Sequence, residues 1–125
     1  MQNICVIEDE KDIGESIKTY MDSRGFQTYV FISTEDFLDN SPADFNGIYL
    51  IDWNLPGEPG IELVKKIRSK DALSPIFMVS AYNKKEDIIE GLKAGADDYI
   101  TKPFSFEELE IRVKNATTKF GIALS

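Results

Sequence analysis

Ile48-Tyr49-Leu50-Ile51-Asp52-Trp53-Asn54-Leu55-Pro56-Gly57 runs from an apolar block into a carboxylate and then into a turn. A short apolar run bounded by turn formers reads as a strand buried on both faces, as in a parallel sheet. Its ending on Asp52 has a plain explanation, because Asp and Asn favour turns by bonding to their own backbone. It also has a chemical one, in which the carboxylate projects from the sheet edge into a reaction site. The rest of the chain weighs the two.

Four other apolar runs, Ile4 to Ile7, Thr28 to Ile32, Ile76 to Val79 and Asp98 to Thr101, read as further strands. Helical spacing separates them. Ile13, Ile17, Tyr20 and Met21 share a face that ends near Gly25, and Thr34 to Asp39 forms a short second helix. Ile61, Val64 and Ile67 mark a third helix; Ile88, Ile89 and Leu92 mark a fourth that ends at Gly95. Phe106, Leu109, Val113, Ala116 and Phe120 form the stripe of a fifth after Ser105, a good N-cap. Strict alternation of strand and helix predicts an α/β fold, a doubly wound (βα)₅ parallel sheet of flavodoxin-like order 2-1-3-4-5. Strands 1 and 3 are then neighbours and the winding reverses between them, which is where such folds bind ligands. Asp52 ends strand 3 at that point, and Glu8-Asp9 ends strand 1.

The chain of 125 residues, 42% hydrophobic and 29% charged, fits one domain over residues 1–125. No apolar stretch is long enough to span a membrane and the N-terminus lacks a basic signal-peptide start, so a cytoplasmic domain without membrane contact is expected. Cys5 is the single cysteine, which rules out an internal disulfide. A net charge of −8 opposes direct nucleic-acid binding by this domain. The chain has no His, which excludes Ser-His-Asp triads, Cys-His pairs and His-ligated zinc.

Neighbouring strands lie about 4.8 Å apart, so Glu8, Asp9 and Asp52 come within roughly 5 Å of one another. At an effective dielectric of about 20, each like-charged pair there costs on the order of 3 kcal/mol, so the cluster needs a proton or a cation. Oxygen ligands alone favour a hard divalent ion such as Mg²⁺. Taken by itself, Glu8-Asp9 reads equally as an anionic N-cap of the first helix. Ser80 ends the fourth strand and Lys102 follows the fifth; singly they read as a strand end and a solvated charge. Together on one edge, carboxylates, hydroxyl and ammonium suit a phosphoryl group attacked by a carboxylate.

With "VIEDE" after the first strand, "LIDWNLPGEPG" at the third, "VSAY" at the fourth and "GLKAGADDYITKPFSFEEL" running into the last helix, the chain resembles the receiver domain of two-component response regulators over essentially its whole length. The resemblance implies a signalling switch in which Asp52 accepts a phosphoryl group from a sensor histidine kinase or a histidine phosphotransfer protein. It assigns Glu8, Asp9 and Asp52 to Mg²⁺, with Asn54 supplying a backbone carbonyl. Ser80 and Lys102 contact the phosphoryl group, and Ser80 with Tyr99 forms the switch. As phosphoryl draws Ser80 inward, Tyr99 follows, and the surface of the fourth helix, fifth strand and fifth helix changes partners, a homodimer among them. Asn54 and Tyr82 flank the water path and time dephosphorylation. The tight turn that aims Lys102 back across the strand ends is expected to hold a cis Lys102-Pro103 bond, which proline makes accessible.

Pro59-Gly60 departs from the polar-glycine pair common in the family, a change in loop stiffness rather than chemistry. Trp53 points away from Asp52 across the strand. A phosphatase of the haloacid-dehalogenase type needs an acid where Asn54 stands, and also a cap. An FMN binder needs a Ser/Thr-rich loop after the first strand. A degenerate receiver, acting by contacts alone, is the remaining alternative. "LPGEPGIELVKKIR" and "KPFSFEEL" resemble receivers that precede winged-helix DNA-binding domains; any such output domain lies beyond Ser125.

Overall fold

Strands and helices alternate in the computed structural model, which describes residues 2–42 and 45–119. The elements are β1 Gln2–Ile7, α1 Lys11–Ser23, β2 Phe26–Phe31, α2 Thr34–Asn40, β3 Ile48–Asp52, α3 Gly60–Lys70, β4 Ile76–Ser80, α4 Lys85–Ala94, β5 Asp98–Thr101 and α5 Phe106–Lys119. The strands form one parallel sheet in the order β2-β1-β3-β4-β5, as their alternation with helices predicts. Ile7 pairs with Ile51, which brings Glu8 and Asp52 side by side at the carboxyl edge.

Alternate residues of each strand point to opposite faces. Ile4, Val6, Leu50, Phe77, Val79 and Ile100 meet Ile17 and Met21 of α1 and Leu109, Val113 and Ala116 of α5. Cys5, Ile7, Tyr49, Ile51 and Met78 meet Phe37 of α2 and Ile61, Val64 and Ile67 of α3. The central strands are therefore covered on both sides, which is why their sequences are continuously apolar rather than alternating. Helix α5 is also tied to α1 by polar groups: Glu110 accepts from the Tyr20 hydroxyl (2.8 Å) and from Arg24 (2.9 Å). Among the described residues no helix is long and apolar enough to cross a membrane.

Three details differ from the expected elements. Strand β2 begins at Phe26 and ends at Phe31, leaving Ile32 outside it and 54% exposed, because the chain turns there into the Ser33 N-cap of α2. The N-cap of α1 is Glu10, not the Glu8-Asp9 pair, although Glu8 accepts the Glu10 N–H (3.1 Å). In α4 the expected stripe is half open: Ile89 and Leu92 are 41% and 42% exposed, and the buried residue is Gly91. Among the described residues β5 is the sheet edge, so no further described strand lies beneath the outer side of α4. The Ser105 cap on α5 is present, its hydroxyl accepting the Glu108 N–H (3.0 Å). Phe120, the last position of the expected stripe, lies outside the described residues.

Candidate functional site

Strand ends of a parallel sheet all face one edge, so β1, β3, β4 and β5 deliver their terminal polar residues to a single place. Glu8 and Asp52 are 2% and 4% exposed, whereas Asp9 is open to solvent. One carboxylate oxygen from each lies within 4.8 Å of the others. Lys102 is folded back over the cluster, its Nζ donating to Glu8 Oε1 (2.7 Å) and to Asp52 Oδ2 (3.0 Å). Asp52 Oδ1 accepts the backbone N–H of Asn54 (3.1 Å). Both oxygens of Asp52 thus have a donor, as a buried carboxylate requires.

Burial pushes the Glu8 carboxyl up to about 7; the Lys102 hydrogen bond pulls it down, and the neighbouring Asp52 pushes it up again. Burial works against the Lys102 ammonium, yet hydrogen bonds to Glu8 and Asp52 hold its pKa above the ordinary lysine value. The site therefore keeps a fixed positive charge between two acids, one of which titrates near neutrality. The Lys102-Pro103 peptide bond is cis, as expected.

The rim is aromatic. Ser80 is fully buried, and its Oγ accepts the backbone N–H of Tyr82 (3.0 Å). The Tyr82 hydroxyl reaches across to Asn54 Oδ1 (2.6 Å), joining the loop after β4 to the loop after β3. Tyr99 is 7% exposed, and its hydroxyl donates to the Tyr82 carbonyl (2.7 Å). Trp53 lies on the sheet face opposite Asp52, edge-on to Tyr82 (5.3 Å between centroids) and to Tyr99 (6.3 Å).

All the residues singled out in the sequence, Glu8, Asp9, Asp52, Asn54, Ser80, Tyr82, Tyr99 and Lys102, lie at this edge or on its aromatic rim. Three features were not anticipated. Lys102 holds Glu8 as well as Asp52. Tyr82 bonds Asn54, 28 positions away. Gly60 is required by close approach, since a Cβ there would fall 1.8 Å from the Asp52 carbonyl oxygen. The Gly60 N–H donates to the Trp53 carbonyl (2.9 Å), which wraps the Leu55-Pro56-Gly57 turn tightly under the site. Glycine at that position thus has a steric reason beyond loop stiffness.

Comparison with known proteins agrees with this geometry. The family model for the response regulator receiver domain matches residues 4–114. The response regulator RppA of Synechocystis sp. is 38% identical over 114 residues, covering 89% of this chain and 48% of that protein. The phosphate regulon transcriptional regulatory protein PhoB of Escherichia coli is 38% identical over 119 residues, covering 90% and 50%. The chain therefore spans about half the length of the curated relatives it matches. Among solved structures, the receiver domain of the Francisella response regulator 1452 superposes with a TM-score of 0.88 at 36% identity, covering 95% of this chain and 98% of that one. The BeF3-activated DrrB receiver domain does so at 0.87 and 30%, covering 94% and 98%. With the sheet order, the acidic edge and these matches in agreement, the chain belongs to the response regulator receiver domain family.

Proposed function

We propose that residues 1–125 form a single receiver domain working as a phosphorylation-controlled switch, with Asp52 as phosphoacceptor. The observation that carries this reading is the position of Asp52: a buried carboxylate beside Glu8, gripped by Lys102 at 3.0 Å. An Asp52 oxygen attacks phosphorus, the bond from phosphorus to the donor's imidazole nitrogen breaks, and the electron pair leaves with the imidazole. The donor is the phosphohistidine of a sensor kinase or a phosphotransfer protein. Lys102 then neutralises phosphoryl oxygens, and the Ser80 hydroxyl donates a hydrogen bond to one of them. Uptake of phosphoryl at Asp52 and nowhere else tests the reading.

The donor set fits Mg²⁺. It is all oxygen and carries more negative charge than the one ammonium offsets, with Asp9 open on the solvent side. Glu8, Asp9 and Asp52 would hold the ion, with the Asn54 carbonyl completing the protein ligands, and its charge would lower the cost of bringing an anionic phosphoryl donor to a carboxylate. Trp53, the only tryptophan, adjoins Asp52 and reports on this site. Millimolar Mg²⁺ is expected to change its emission, and Asp9→Asn to remove the change. An unaltered spectrum together with silent calorimetry would count against the ion.

The switch runs through Ser80 and Tyr99 to the surface of α4, β5 and α5, where Ile89, Leu92 and Ile111 (58% exposed) offer apolar area to a partner, a second copy included. A cytoplasmic setting and an absence of direct nucleic-acid contact belong to the same reading. The degenerate receiver is disfavoured because each chemical position is filled and gathered at one edge.

Tyr82 times the return to the resting state. Its hydroxyl bonds Asn54 Oδ1 at 2.6 Å, and on this reading the ring stands over the approach that water needs in line with the bond to Asp52. Tyr82→Ala is expected to speed phosphate release, and Tyr82→Phe, which keeps the ring but loses its tether, to speed it less. If the hydroxyl instead orients the water, Tyr82→Phe slows release. Rates within about twofold of wild type for both, ~0.4 kcal/mol of barrier, would remove Tyr82 from the timing.

A further inference from the structure

Residues 26–32 read FQTYVFI, seven positions rich in β-branched and aromatic side chains, with no charge, no glycine and no proline. Such a segment pairs readily with other strands, its own copies included. In this fold it forms β2, which among the described residues is an edge of the sheet, and Ile32 at its end is 54% exposed. An edge strand offers a row of outward N–H and C=O groups as a template for another chain. The Phe31 carbonyl accepts the Glu8 N–H on the β1 side, so by alternation the backbone groups of Thr28, Val30 and Ile32 point outward.

Charged side chains from the flanking helices occupy that row. The Thr28 N–H donates to Asp22 Oδ1 (2.9 Å), and the Thr28 carbonyl accepts from Lys18 Nζ (3.0 Å). Lys18 and Asp22 stand one turn apart on α1 and bond each other (2.9 Å), which holds the pair over the middle of the strand. At its end the Ile32 N–H donates to Asp36 Oδ2 of α2 (2.9 Å). Burial opposes ionisation of Asp22, yet Lys18 and Thr28 hold its carboxyl below the ordinary aspartate range, so the pair stays charged. A surface ion pair adds little stability by itself. Its bonds to an edge strand have a different consequence.

We propose that Lys18, Asp22 and Asp36 guard β2, closing a latent strand-pairing edge that would otherwise take the same segment of a second copy of this chain. A second copy is the occupant because each brings the same uncharged segment, and two β2 edges pair antiparallel about a two-fold axis. The incoming strand needs the Thr28 N–H and carbonyl, so it must first displace both side chains of the pair and bring like charges against their copies. No chemistry at Asp52 enters the inference or its test.

The test compares wild type with Lys18→Ala/Asp22→Ala at equal concentration without a phosphodonor, by sedimentation velocity and thioflavin T emission after the same incubation below the melting temperature. The double substitution removes one charge of each sign, so the net charge stays at −8. Its associated fraction and dye emission are expected to rise about fivefold or more over wild type. Glu62→Ala/Lys65→Ala removes an exposed ion pair within α3 (3.1 Å) with the same charge balance, and is expected to stay at the wild-type level. Adding Ile32→Lys to the Lys18→Ala/Asp22→Ala protein returns charge to the edge and is expected to suppress the association. If the double variant loses its cooperative melt, Lys18→Met decides. It keeps the aliphatic stem and takes the net charge from −8 to −9, so association there does not come from weaker repulsion. Amide exchange at Thr28 gives a second reading, expected to be slow in wild type and about tenfold faster in the monomer of either variant. A folded variant that stays monomeric and dye-silent, or is matched by Glu62→Ala/Lys65→Ala, would overturn the proposal. So would a wild-type Thr28 amide that exchanges at the rate of an unfolded chain.

Discussion

With acetyl phosphate and Mg²⁺ the chain is expected to take up one alkali-labile phosphoryl group, and Asp52→Asn to take up none. The amide is close to isosteric and keeps a carbonyl oxygen for the Asn54 N–H, so the loss reflects the missing nucleophile rather than a collapsed site. Lys102→Ala is expected to label poorly, for a different reason. It removes the ammonium that bonds both Glu8 and Asp52 and leaves two buried carboxylates facing each other, so one tends to take up a proton. Without the ammonium the phosphoryl product also loses its counter-charge. Intact mass with and without brief alkaline treatment measures both variants. Label that persists in Asp52→Asn and maps to Asp9 or another carboxylate would remove Asp52 from the role and leave the switch without its chemistry.

Most of the sheet was legible because parallel strands buried on both faces must be continuously apolar. Ile48 to Ile51 and Ile76 to Val79 therefore stand out from their flanks. Ile32 was misread for the same reason in reverse: apolarity alone does not say where a strand ends, and here the Ser33 cap ends it. The α4 stripe misled because helical spacing identifies a face without saying whether anything lies beneath it, and α4 sits over the edge strand. The site was legible to the extent that topology alone gathers strand ends. What stayed hidden depends on side-chain reach and close approach. A lysine stem reaches either neighbour of Asp52, so its bond to Glu8 follows from packing, not spacing. The bond from Tyr82 to Asn54 joins two loops whose separation no pattern encodes. Gly60 and Gly91 carry a faint signal, as glycines inside or opening helices where alanine is preferred, but the Asp52 carbonyl and the Tyr99 ring that demand them come from other elements.

Mg²⁺ affinity is expected to rise with pH up to about 7 and then level, because Glu8 must be ionised to serve the ion and burial has raised its pKa from 4.5 to about 7. For one proton released, the limit is about tenfold in Kd per pH unit below that value. The sign for stability without the ion runs the other way. A carboxyl whose pKa is raised by folding stabilises the folded state below its unfolded value of 4.5, and that contribution is lost as pH rises through about 7. The ion-free chain should therefore lose stability through this group between about pH 4.5 and 7, and saturating Mg²⁺ should restore more at about pH 8 than at pH 5.5. Lys102 does not cancel the effect, since its own raised pKa keeps it charged across the window. Glu8→Gln separates the two signs: the neutral amide still accepts from Lys102 but carries no charge to desolvate. It should flatten the ion-free pH profile, raise stability at about pH 8, and weaken the response to Mg²⁺. Calorimetric Mg²⁺ titrations and thermal melts across that range make the comparison. An affinity that stays flat from about pH 5.5 to 8 would mean that no site proton is displaced, and Glu8 would then not be a ligand.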